Sequence, residues 1–259
     1  MMKLNEDKIR SRLHTDELQI RIYDQIDSTN KEARRLAEQG VNEPILLIAR
    51  AQTSGRGRMG REFYSPADTG IYMTYLWHPD AVAGDVISVT TAAAVAVHRA
   101  LGSMAALSDR LFSIKWVNDI YLADKKVCGI LTEAITDPQD GKIRDIWIGI
   151  GINVTPMTFP EELKSIAASL NVFELDRNEL IANIINQLLY ILRDSDRYAH
   201  MPYYRAHSMV IGKAVNTICA DQINPGVVLD INKEGGLVVE RPNGTIETLQ
   251  SGEISLRLQ

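Results

Sequence analysis

The sequence predicts an α+β fold with a small β-barrel at its C-terminal end. In the larger part of the chain the predicted strands and helices do not alternate regularly, as they would in a doubly wound parallel sheet. After about Gly212 the pattern changes to five short predicted strands in fewer than 50 residues, separated by the hairpin-turn pairs Gly235-Gly236 and Asn243-Gly244. The length of 259 residues fits one large domain and a small one. We therefore expect a short N-terminal segment (1–22), a large domain (23–208) and a small C-terminal domain (209–259).

The larger part of the chain alternates between helix-like and strand-like segments without a fixed order. Helices are predicted at about 30–39, 85–101, 161–170 and 177–198. The first and the last begin with capping-box patterns at Thr29 and Asp176, and Gly40 and Gly102 mark the expected ends of the first two. Apolar and β-branched runs predict strands at 45–49, 71–77, 112–122 (two short strands around a turn), 127–135 and 143–152. Residues 1–22 are charged and show no strong periodicity.

Composition excludes several classes of protein. Hydrophobic residues make up 45% of the chain and charged residues 24%, as in ordinary globular proteins. The longest apolar run lies at 92–97, far short of the roughly 20 residues that a membrane span requires. The isolated cysteines, Cys128 and Cys219, fit a reducing cytoplasm, and the mixed charges of residues 1–22 leave no signal-peptide core. A net charge of −5 makes nucleic acid an unexpected partner.

The most informative segment is the glycine–arginine loop, Gly55-Arg56-Gly57-Arg58-Met59-Gly60-Arg61. It matches G-x-G-x-x-G formally, but no helix pattern follows, so it is neither a dinucleotide loop nor a Walker loop. Its glycines let backbone N–H groups approach a ligand, and Arg50 adds a further positive charge nearby. This combination predicts a mobile anion-binding loop. A solvated turn and an RGG-like nucleic-acid segment are the alternatives.

Four further clusters carry polar residues between apolar segments. Taken alone, Ser28-Thr29-Asn30 favours a helix cap at Thr29, although three small polar side chains could also meet a polar ligand. Lys115-Trp116-Val117-Asn118-Asp119 surrounds a turn, Lys126 begins an apolar strand, and Gly149-Ile150-Gly151-Ile152-Asn153 ends a buried strand. Each of these three has an equally ordinary reading as a surface turn, a solvated strand end or a buried strand.

In this order and spacing, the clusters resemble the biotin protein ligases, in the form that lacks an N-terminal helix-turn-helix domain. The matching motifs are Ser-Thr-Asn, Gly-Arg-Gly-Arg-x-Gly-Arg, Lys-Trp-x-Asn-Asp, Lys-x-x-Gly-Ile-Leu and Gly-x-Gly-Ile-Asn. The resemblance covers about residues 23–257 and ends with Gly252-Glu253-Ile254-Ser255-Leu256-Arg257, which is similar to the family's C-terminal domain. Two positions depart from the family pattern: Val117 stands where proline is usual, and Met59 where a basic residue is frequent.

The resemblance implies a fold and an activity. The fold would be a class II aminoacyl-tRNA synthetase-like catalytic domain with a mixed sheet, which binds biotin and ATP, followed by an SH3-like barrel. The activity would proceed in two steps, from biotin and ATP, with Mg²⁺, to biotinyl-5′-AMP, and from there to one lysine of a biotin carboxyl carrier protein. No DNA or membrane is expected as a partner, and a homodimer through the strand at 146–152 rests on analogy with the family alone.

The resemblance also implies the site residues. The side chains that would hydrogen-bond biotin are Ser28, Thr29, Asn30 and Gln52. The loop residues that would close over biotin and the adenylate are Gly55, Arg56, Gly57 and Arg58. The pocket walls would be Trp116 and Gly129. The ATP contacts would be Arg58, Arg61, Lys115 and Asn153. The catalytic residues would be Lys126, which neutralises the biotin carboxylate, Arg58, and Asp119, which orients the acceptor lysine. Arg257 either reaches toward ATP or caps the fold.

Three other functions stay open on the sequence alone. A lipoate–protein ligase would share the fold and the adenylate chemistry, but it lacks this arginine loop. A biotin-binding protein without catalysis would bind biotin without releasing pyrophosphate. A repressor would carry a DNA-binding domain, whereas only 27 residues precede Ser28 here, too few for three packed helices. We therefore expect a cytoplasmic ligase without DNA binding, with mobile loops at 55–61 and about 153–162.

Overall fold

The structure is a computed structural model that describes residues 3–79, 86–137, 139, 141–219, 222–250 and 252–256. Its larger part is built on a seven-stranded sheet in the order β1-β2-β3-β7-β6-β5-β4. The strands are β1 (Gln19–Tyr23), β2 (Ile45–Ala49), β3 (Gly70–Trp77), β4 (Phe112–Lys115), β5 (Asp119–Leu122), β6 (Lys125–Thr136) and β7 (Ile143–Asn153). The helices of the described residues are α1 (Glu6–Arg10), α2 (Thr29–Glu38), α3 (Val86–Ser103), α4 (Arg177–Leu192) and α5 (Met201–Ala206).

The sheet is mixed, because β1 pairs in parallel with β2 while the other described neighbours pair antiparallel. The expected hairpin of β6 and β7 is present, with Gly129 opposite Gly151 and Leu131 opposite Gly149. Strand β7 is hydrogen-bonded to β3 on one side and to β6 on the other. The expectation that 146–152 pairs with a second copy is therefore wrong, since both of its edges are already occupied.

The two faces of the sheet are covered differently. Helices α3 and α4 pack on one face, where Ile146, Ile148, Ile150 and Ile152 of β7 are buried in the main apolar core. On the other face α2 covers only one end, through a small cluster that includes Ala33, Leu36 and Trp147. Because side chains alternate along a strand, Gly129, Leu131 and Glu133 of β6 and the odd-numbered residues 147–151 of β7 point to this second face. A register shift between β5 and β6 brings Lys126 to the same face. The part that α2 leaves uncovered carries the site described below.

Helix α3 forms the centre of the main core. By length and composition it is the one described helix that could cross a membrane, but 72% of its apolar window is buried inside the protein. That burial identifies a core helix. The helix continues through Gly102 to Ser103, so Gly102 is not its stop as expected, and the expected first residue, Asp85, lies outside the described residues.

Three further predictions of local structure are wrong. Residues 161–170 form only a 3₁₀ turn at Glu161–Leu163, because the backbone that follows bonds to the strands: Lys126 N–H donates to Ile166 O, and Leu170 N–H donates to Asn153 O. Helix α4 ends at Leu192 rather than continuing to residue 198. The N-terminal segment, for which no element was predicted, forms α1 and β1. Asp176 does cap α4, accepting from two backbone N–H groups.

The C-terminal part forms a five-stranded antiparallel sheet in the order β11-β10-β9-β8-β12. Its strands are β8 (Ala214–Cys219), β9 (Gln222–Ile231), β10 (Leu237–Glu240), β11 (Ile246–Leu249) and β12 (Glu253–Leu256). Gly235 and Gly244 occupy the expected turns, with φ of +86° and +81°. Arg257, with its proposed reach toward ATP, lies outside the described residues. Cys128 is a buried free thiol.

Candidate active site

Three glycines form the floor of the site on the face that α2 leaves open. Gly129 of β6 and Gly149 and Gly151 of β7 have no side chain to fill the space above the sheet. A Cβ on Gly151 would lie 2.6 Å from the ring of Phe63, and one on Gly149 would overlap the amide oxygen of Asn30. Other groups therefore approach the sheet backbone directly at this point. The floor explains why glycine alternates with isoleucine along β7.

An ion pair stands at one end of the glycine floor. Lys126 Nζ lies 2.7 Å from Asp119 Oδ1, and a Cβ on Gly129 would be 2.9 Å from the same Nζ. Asp119 is the cross-strand partner of Gly129, so register alone brings the carboxylate to this face. The side chains are 30% and 19% exposed, which leaves both groups able to meet a ligand. The structure thus brings together two of the three predicted catalytic residues.

The glycine–arginine loop forms a tight hairpin above this floor. Gly57 N–H donates to Arg61 O at 2.8 Å, and Arg61 N–H donates to Arg58 O at 3.2 Å. Met59 and Gly60 have φ of +54° and +75°, the signature of a type I′ turn. The hairpin is closed at its base by Phe63 N–H, which donates to Gly55 O.

Two arginine side chains attach the hairpin to the sheet. Arg58 donates to Asn118 Oδ1 at 3.2 Å, and Asn118 in turn donates to Ile130 O at 2.7 Å. Arg56 forms an ion pair of 3.0 Å with Glu133 of β6. Arg58, the third predicted catalytic residue, is therefore held by the same turn that carries Asp119.

The polar residues at the start of α2 form a network with Gln52 and Thr74. Gln52 Oε1 accepts from Thr29 N–H at 2.9 Å and from the Thr29 hydroxyl at 3.1 Å. Thr74 Oγ1 lies 2.8 Å from both the Thr29 hydroxyl and Asn30 Oδ1, and donates to one of them at a time. Asn30 donates to Leu131 O at 3.3 Å. The expectation that Thr29 caps the helix is wrong, because Ser28 occupies the N-cap position.

Ser28 differs from its neighbours in this network. Its hydroxyl oxygen is buried and has no hydrogen-bond partner within the part of the chain that the structure describes. Its side chain does not cap α2. A buried polar group without a partner costs about 1–3 kcal/mol, so this hydroxyl is poised to bind a ligand group.

Asn153 presents a second unsatisfied oxygen at the far end of β7. Asn153 Nδ2 donates to Ala168 O at 3.1 Å, whereas its buried Oδ1 has no partner among the described residues. Lys115, another predicted ATP contact, donates to the Tyr121 hydroxyl at 3.2 Å. Arg61 follows the turn of the hairpin and is exposed.

Trp116 is placed away from the predicted pocket. Its indole Nε1 donates to Gly235 O of the β9–β10 turn at 2.8 Å, and only 3% of the residue is exposed. Trp116 therefore connects the Lys115–Asp119 turn to the C-terminal sheet. Its predicted role as a pocket wall is corrected accordingly: the indole packs in the core between the two sheets.

Burial changes the ionisation of the groups around the Lys126–Asp119 pair. Burial, reinforced by the Asp119 carboxylate, raises the pKa of Tyr121. Burial also raises the pKa of the Cys128 thiol and of the Tyr204 hydroxyl. These three groups therefore stay protonated at neutral pH.

Two family models match the chain. Residues 22–153 match the biotin/lipoate A/B protein ligase family, and residues 210–257 match the biotin protein ligase C-terminal domain. The chain belongs to the biotin/lipoate A/B protein ligase family. Its seven-stranded mixed sheet and C-terminal antiparallel sheet are those of a biotin protein ligase, so the predicted membership is confirmed.

Individual relatives of this ligase family extend over nearly the whole chain. The bifunctional ligase/repressor BirA of Bacillus subtilis (strain 168) is 35% identical over an alignment 264 residues long, which covers 98% of this chain and 79% of the relative. The biotin–[acetyl-CoA-carboxylase] ligase of Mycobacterium tuberculosis is 28% identical, over 92% of this chain and 90% of that protein. A structure of the Aquifex aeolicus biotin protein ligase in complex with biotin and ATP superposes with a TM-score of 0.77 at 28% identity, covering 93% and 99%.

Sequence reasoning missed four residues of this ligase site. Glu133, Thr74, Gly149 and Gly151 contact the predicted residues, yet none was predicted to act in the site. The alternation of glycine with isoleucine in β7 was the available signal for the glycines. Glu133 and Thr74 gave no signal, because only the pairing of β6 and β3 with β7 brings them to the site.

Proposed function

We propose that this biotin protein ligase activates biotin with ATP as biotinyl-5′-AMP and transfers the acyl group to a lysine of a biotin carboxyl carrier protein. The observation that carries the proposal is the placement of Lys126 and Arg58 around the glycine floor, together with the buried oxygens of Ser28 and Asn153, which have no partner among the described residues. The names of the relatives, which include biotin–[acetyl-CoA-carboxylase] ligases, support the same substrate and acceptor class.

The first half-reaction requires two anions to meet. The biotin carboxylate attacks the α-phosphate of ATP, and two unit charges 4 Å apart repel by about 4 kcal/mol at an effective dielectric near 20. Lys126 would neutralise the carboxylate and later the mixed anhydride, and Arg58 would stabilise charge on the phosphate. The acyl chain would lie beside the Phe63 ring and the Asn30 amide, which cover Gly151 and Gly149 of the glycine floor. Arg61, Lys115 and Asn153 are the proposed further contacts to ATP.

The choice of biotin over lipoate would come from the polar network at the start of α2. The Ser28 hydroxyl, at the start of this network, is buried and lacks a partner among the described residues, and the ureido ring of biotin offers both donors and an acceptor. A dithiolane ring would leave this hydroxyl unsatisfied. Thr29, Asn30 and Gln52 bond one another and so would fix the shape of the pocket.

The second half-reaction requires the acceptor lysine to lose a proton. Asp119 is the carboxylate beside Lys126, and it would orient the incoming ammonium group and accept its proton. Because Asp119 already pairs with Lys126, the acceptor lysine would enter the same ion pair as Lys126 turns toward the acyl phosphate. The acceptor lysine would therefore bind to Asp119 at a position from which it can attack the mixed anhydride.

Magnesium would be coordinated by the phosphates of ATP rather than by a set of protein side chains. The described residues contain no group of three or more His, Cys, Asp and Glu side chains that could hold a metal ion. Mg²⁺ commonly binds through substrate phosphates and retains several waters. We propose MgATP as the substrate, with Asn153 Oδ1 as a neutral oxygen nearby.

Four other features stay proposals. These are a class II synthetase-like catalytic domain at 23–208 with an SH3-like domain at 209–259, a cytoplasmic location, action without DNA, and a homodimer. The separate seven- and five-stranded sheets support the division, and a net charge of −5 supports the absence of DNA binding. A salt-dependent shift of operator DNA would contradict the absence of DNA binding.

Pyrophosphate release tests the proposed function. Purified protein is mixed with MgATP and either biotin or lipoate, without an acceptor. We expect release of about one equivalent with biotin alone, because the adenylate stays bound until an acceptor arrives. Release with lipoate but not biotin would establish a lipoate ligase instead. Tight biotin binding without release would identify a binding protein. Addition of a biotin carboxyl carrier domain should then convert the single turnover into continuous release.

A further inference from the structure

Glu133 is the one carboxylate of β6 that touches the glycine–arginine hairpin in the described structure. Glu133 Oε1 pairs with Arg56 at 3.0 Å, and Glu133 Oε2 accepts from Asn30 Nδ2 and from Trp147 Nε1, both at 3.1 Å. A single side chain thereby joins the hairpin, the start of α2 and the sheet. The resemblance predicted that Arg56 closes over biotin, but its guanidinium is already bound to protein.

The two arginines of the hairpin face different partners. Arg58 donates to a neutral amide oxygen, that of Asn118, rather than to a carboxylate, so this contact leaves its positive charge available to a phosphate. Arg56 pairs with a full negative charge on Glu133. An arginine whose charge is already balanced contributes less to the binding of an anion than one that faces an amide. The hairpin thus carries one arginine suited to bind the ligand, Arg58, and one that attaches the hairpin to the sheet, Arg56.

We propose that the Arg56–Glu133 ion pair, called the clasp below, holds the hairpin closed over the acyl-adenylate. Glu133 is then a positioning residue that helps to retain the adenylate. The proposal rests on the proposed adenylation activity and deepens it. The base of the hairpin is fixed independently, because Thr53 N–H donates to Ile26 O and Ser54 N–H donates to Asp27 O. Loss of the clasp would therefore let the tip open without detaching the loop.

The retention of the acyl-adenylate has a chemical purpose. A mixed anhydride hydrolyses when water reaches it, so closure protects the intermediate until the acceptor lysine arrives. The clasp side chains are 35% and 23% exposed, which suits a contact that must break for substrate entry and product release. A partly exposed ion pair of this kind is weak enough to open within a turnover.

Glu133→Gln is the variant that separates the clasp from the structural role of Glu133. Its amide oxygen can still accept from Asn30 and Trp147, whereas its charge for Arg56 is lost. Arg56→Gln removes the same ion pair from the other side. The matched control is Glu6→Gln, which removes the exposed Arg10–Glu6 pair of 2.8 Å on α1.

The first measurement follows the release of biotinyl-AMP from preloaded protein. We expect Glu133→Gln and Arg56→Gln each to speed release by about three- to five-fold, the upper range for a partly exposed ion pair. The double variant should be no faster than either single variant, because both remove one interaction. First-turnover pyrophosphate formation is measured in the same preparations, so that each release rate refers to protein known to have formed the adenylate. Unchanged release in Glu133→Gln, or additive effects in the double variant, would overturn the clasp.

The second measurement needs no turnover. Hydrogen exchange of residues 55–61 in ligand-free protein should be faster in Glu133→Gln than in the wild type, and unchanged in Glu6→Gln. Equal exchange rates of residues 55–61 in Glu133→Gln and in the wild type would contradict the clasp, even if both proteins were fully active. If the wild type released no pyrophosphate with biotin, the proposed function would fail, while the exchange result would still decide whether the clasp exists.

Discussion

The two faces of strand β7 carry opposite kinds of residue. Ile148, Ile150 and Ile152 point to the face under α3 and α4 and are at most 2% exposed, whereas Gly149 and Gly151 point to the face with the charged side chains. One face supplies apolar contact area and the other supplies space. Stability and ligand binding therefore depend on alternate residues of one strand, so a mutation can alter either of them separately.

Ile150→Ala should produce the largest effect, on the covered face. Removal of a fully buried side chain typically costs about 2–5 kcal/mol of unfolding free energy. The measurement is urea unfolding, combined with the pyrophosphate burst per mole of folded protein. We expect a large loss of stability with an unchanged burst rate. A slowed burst in folded protein would show that the two faces are coupled.

Lys126→Ala should produce the largest effect on the open face. Loss of a preorganised cation typically lowers the rate of the chemical step by about 10²–10³-fold, so adenylate formation should nearly stop while the fold persists. Lys125→Ala is the matched control, because Lys125 donates to Lys164 O at an exposed position. Full activity in Lys126→Ala would remove Lys126 from its proposed role, and equal losses in both variants would point to a general disturbance of β6.

Gly149→Ala tests the floor itself. The added methyl group would overlap the amide oxygen of Asn30, so α2 and its polar residues must shift. A displacement of about 1 Å in a site can cost about 100-fold in rate, and we expect a loss of that order in kcat/KM for biotin. The control is Gly102→Ala, where nothing lies within 4 Å of the new Cβ. That change should raise stability by about 0.5–1 kcal/mol and leave activity unchanged.

The strands and turns of the fold could be predicted where a short stretch of sequence determines them. The apolar run of β2, the hairpin of β6 and β7, and the turns at Gly235 and Gly244 follow from composition and turn residues, and all are present. Residues 161–170 resembled a helix locally, yet only Glu161–Leu163 forms a 3₁₀ turn, and the residues that follow bond to Lys126 and Asn153. In this segment, tertiary hydrogen bonds outweigh the local helix propensity.

The site could be predicted only in part for a related reason. Lys126, Asp119 and Arg58 stand in motifs, and the structure brings them to one place. Glu133 and Thr74 are isolated residues in ordinary strands, and their role depends on pairing across β3, β7 and β6. Trp116 stands in a motif too, but its indole bonds to a carbonyl of the C-terminal sheet, which no local pattern encodes.

A smaller effect is expected from His200, on the covered side. Its Nε2 lies 2.8 Å from the Thr91 hydroxyl of α3, and burial, assisted by the nearby Arg99, lowers the pKa of His200 to about 4. Below about pH 6.5 the unfolded chain takes up a proton at His200 while the folded protein does not, so stability falls as pH decreases toward 4.

His200→Gln isolates this pH dependence. Urea unfolding at pH 7 and pH 5 should show that the wild type loses up to about 2 kcal/mol more than the variant over this interval. His14→Gln, at an exposed position, is the control and should follow the wild type. An equal pH dependence in wild type and His200→Gln would show that the buried imidazole does not contribute.

The most direct test of the account is a crystal structure of the protein with biotin bound. We predict that the ureido ring lies on the open face within about 3 Å of the Ser28 hydroxyl. The carboxylate should lie over Gly129, within about 4 Å of Lys126 Nζ. Biotin bound elsewhere, with the Ser28 hydroxyl still lacking a partner, would contradict the assignment of the glycine face as the site of activation.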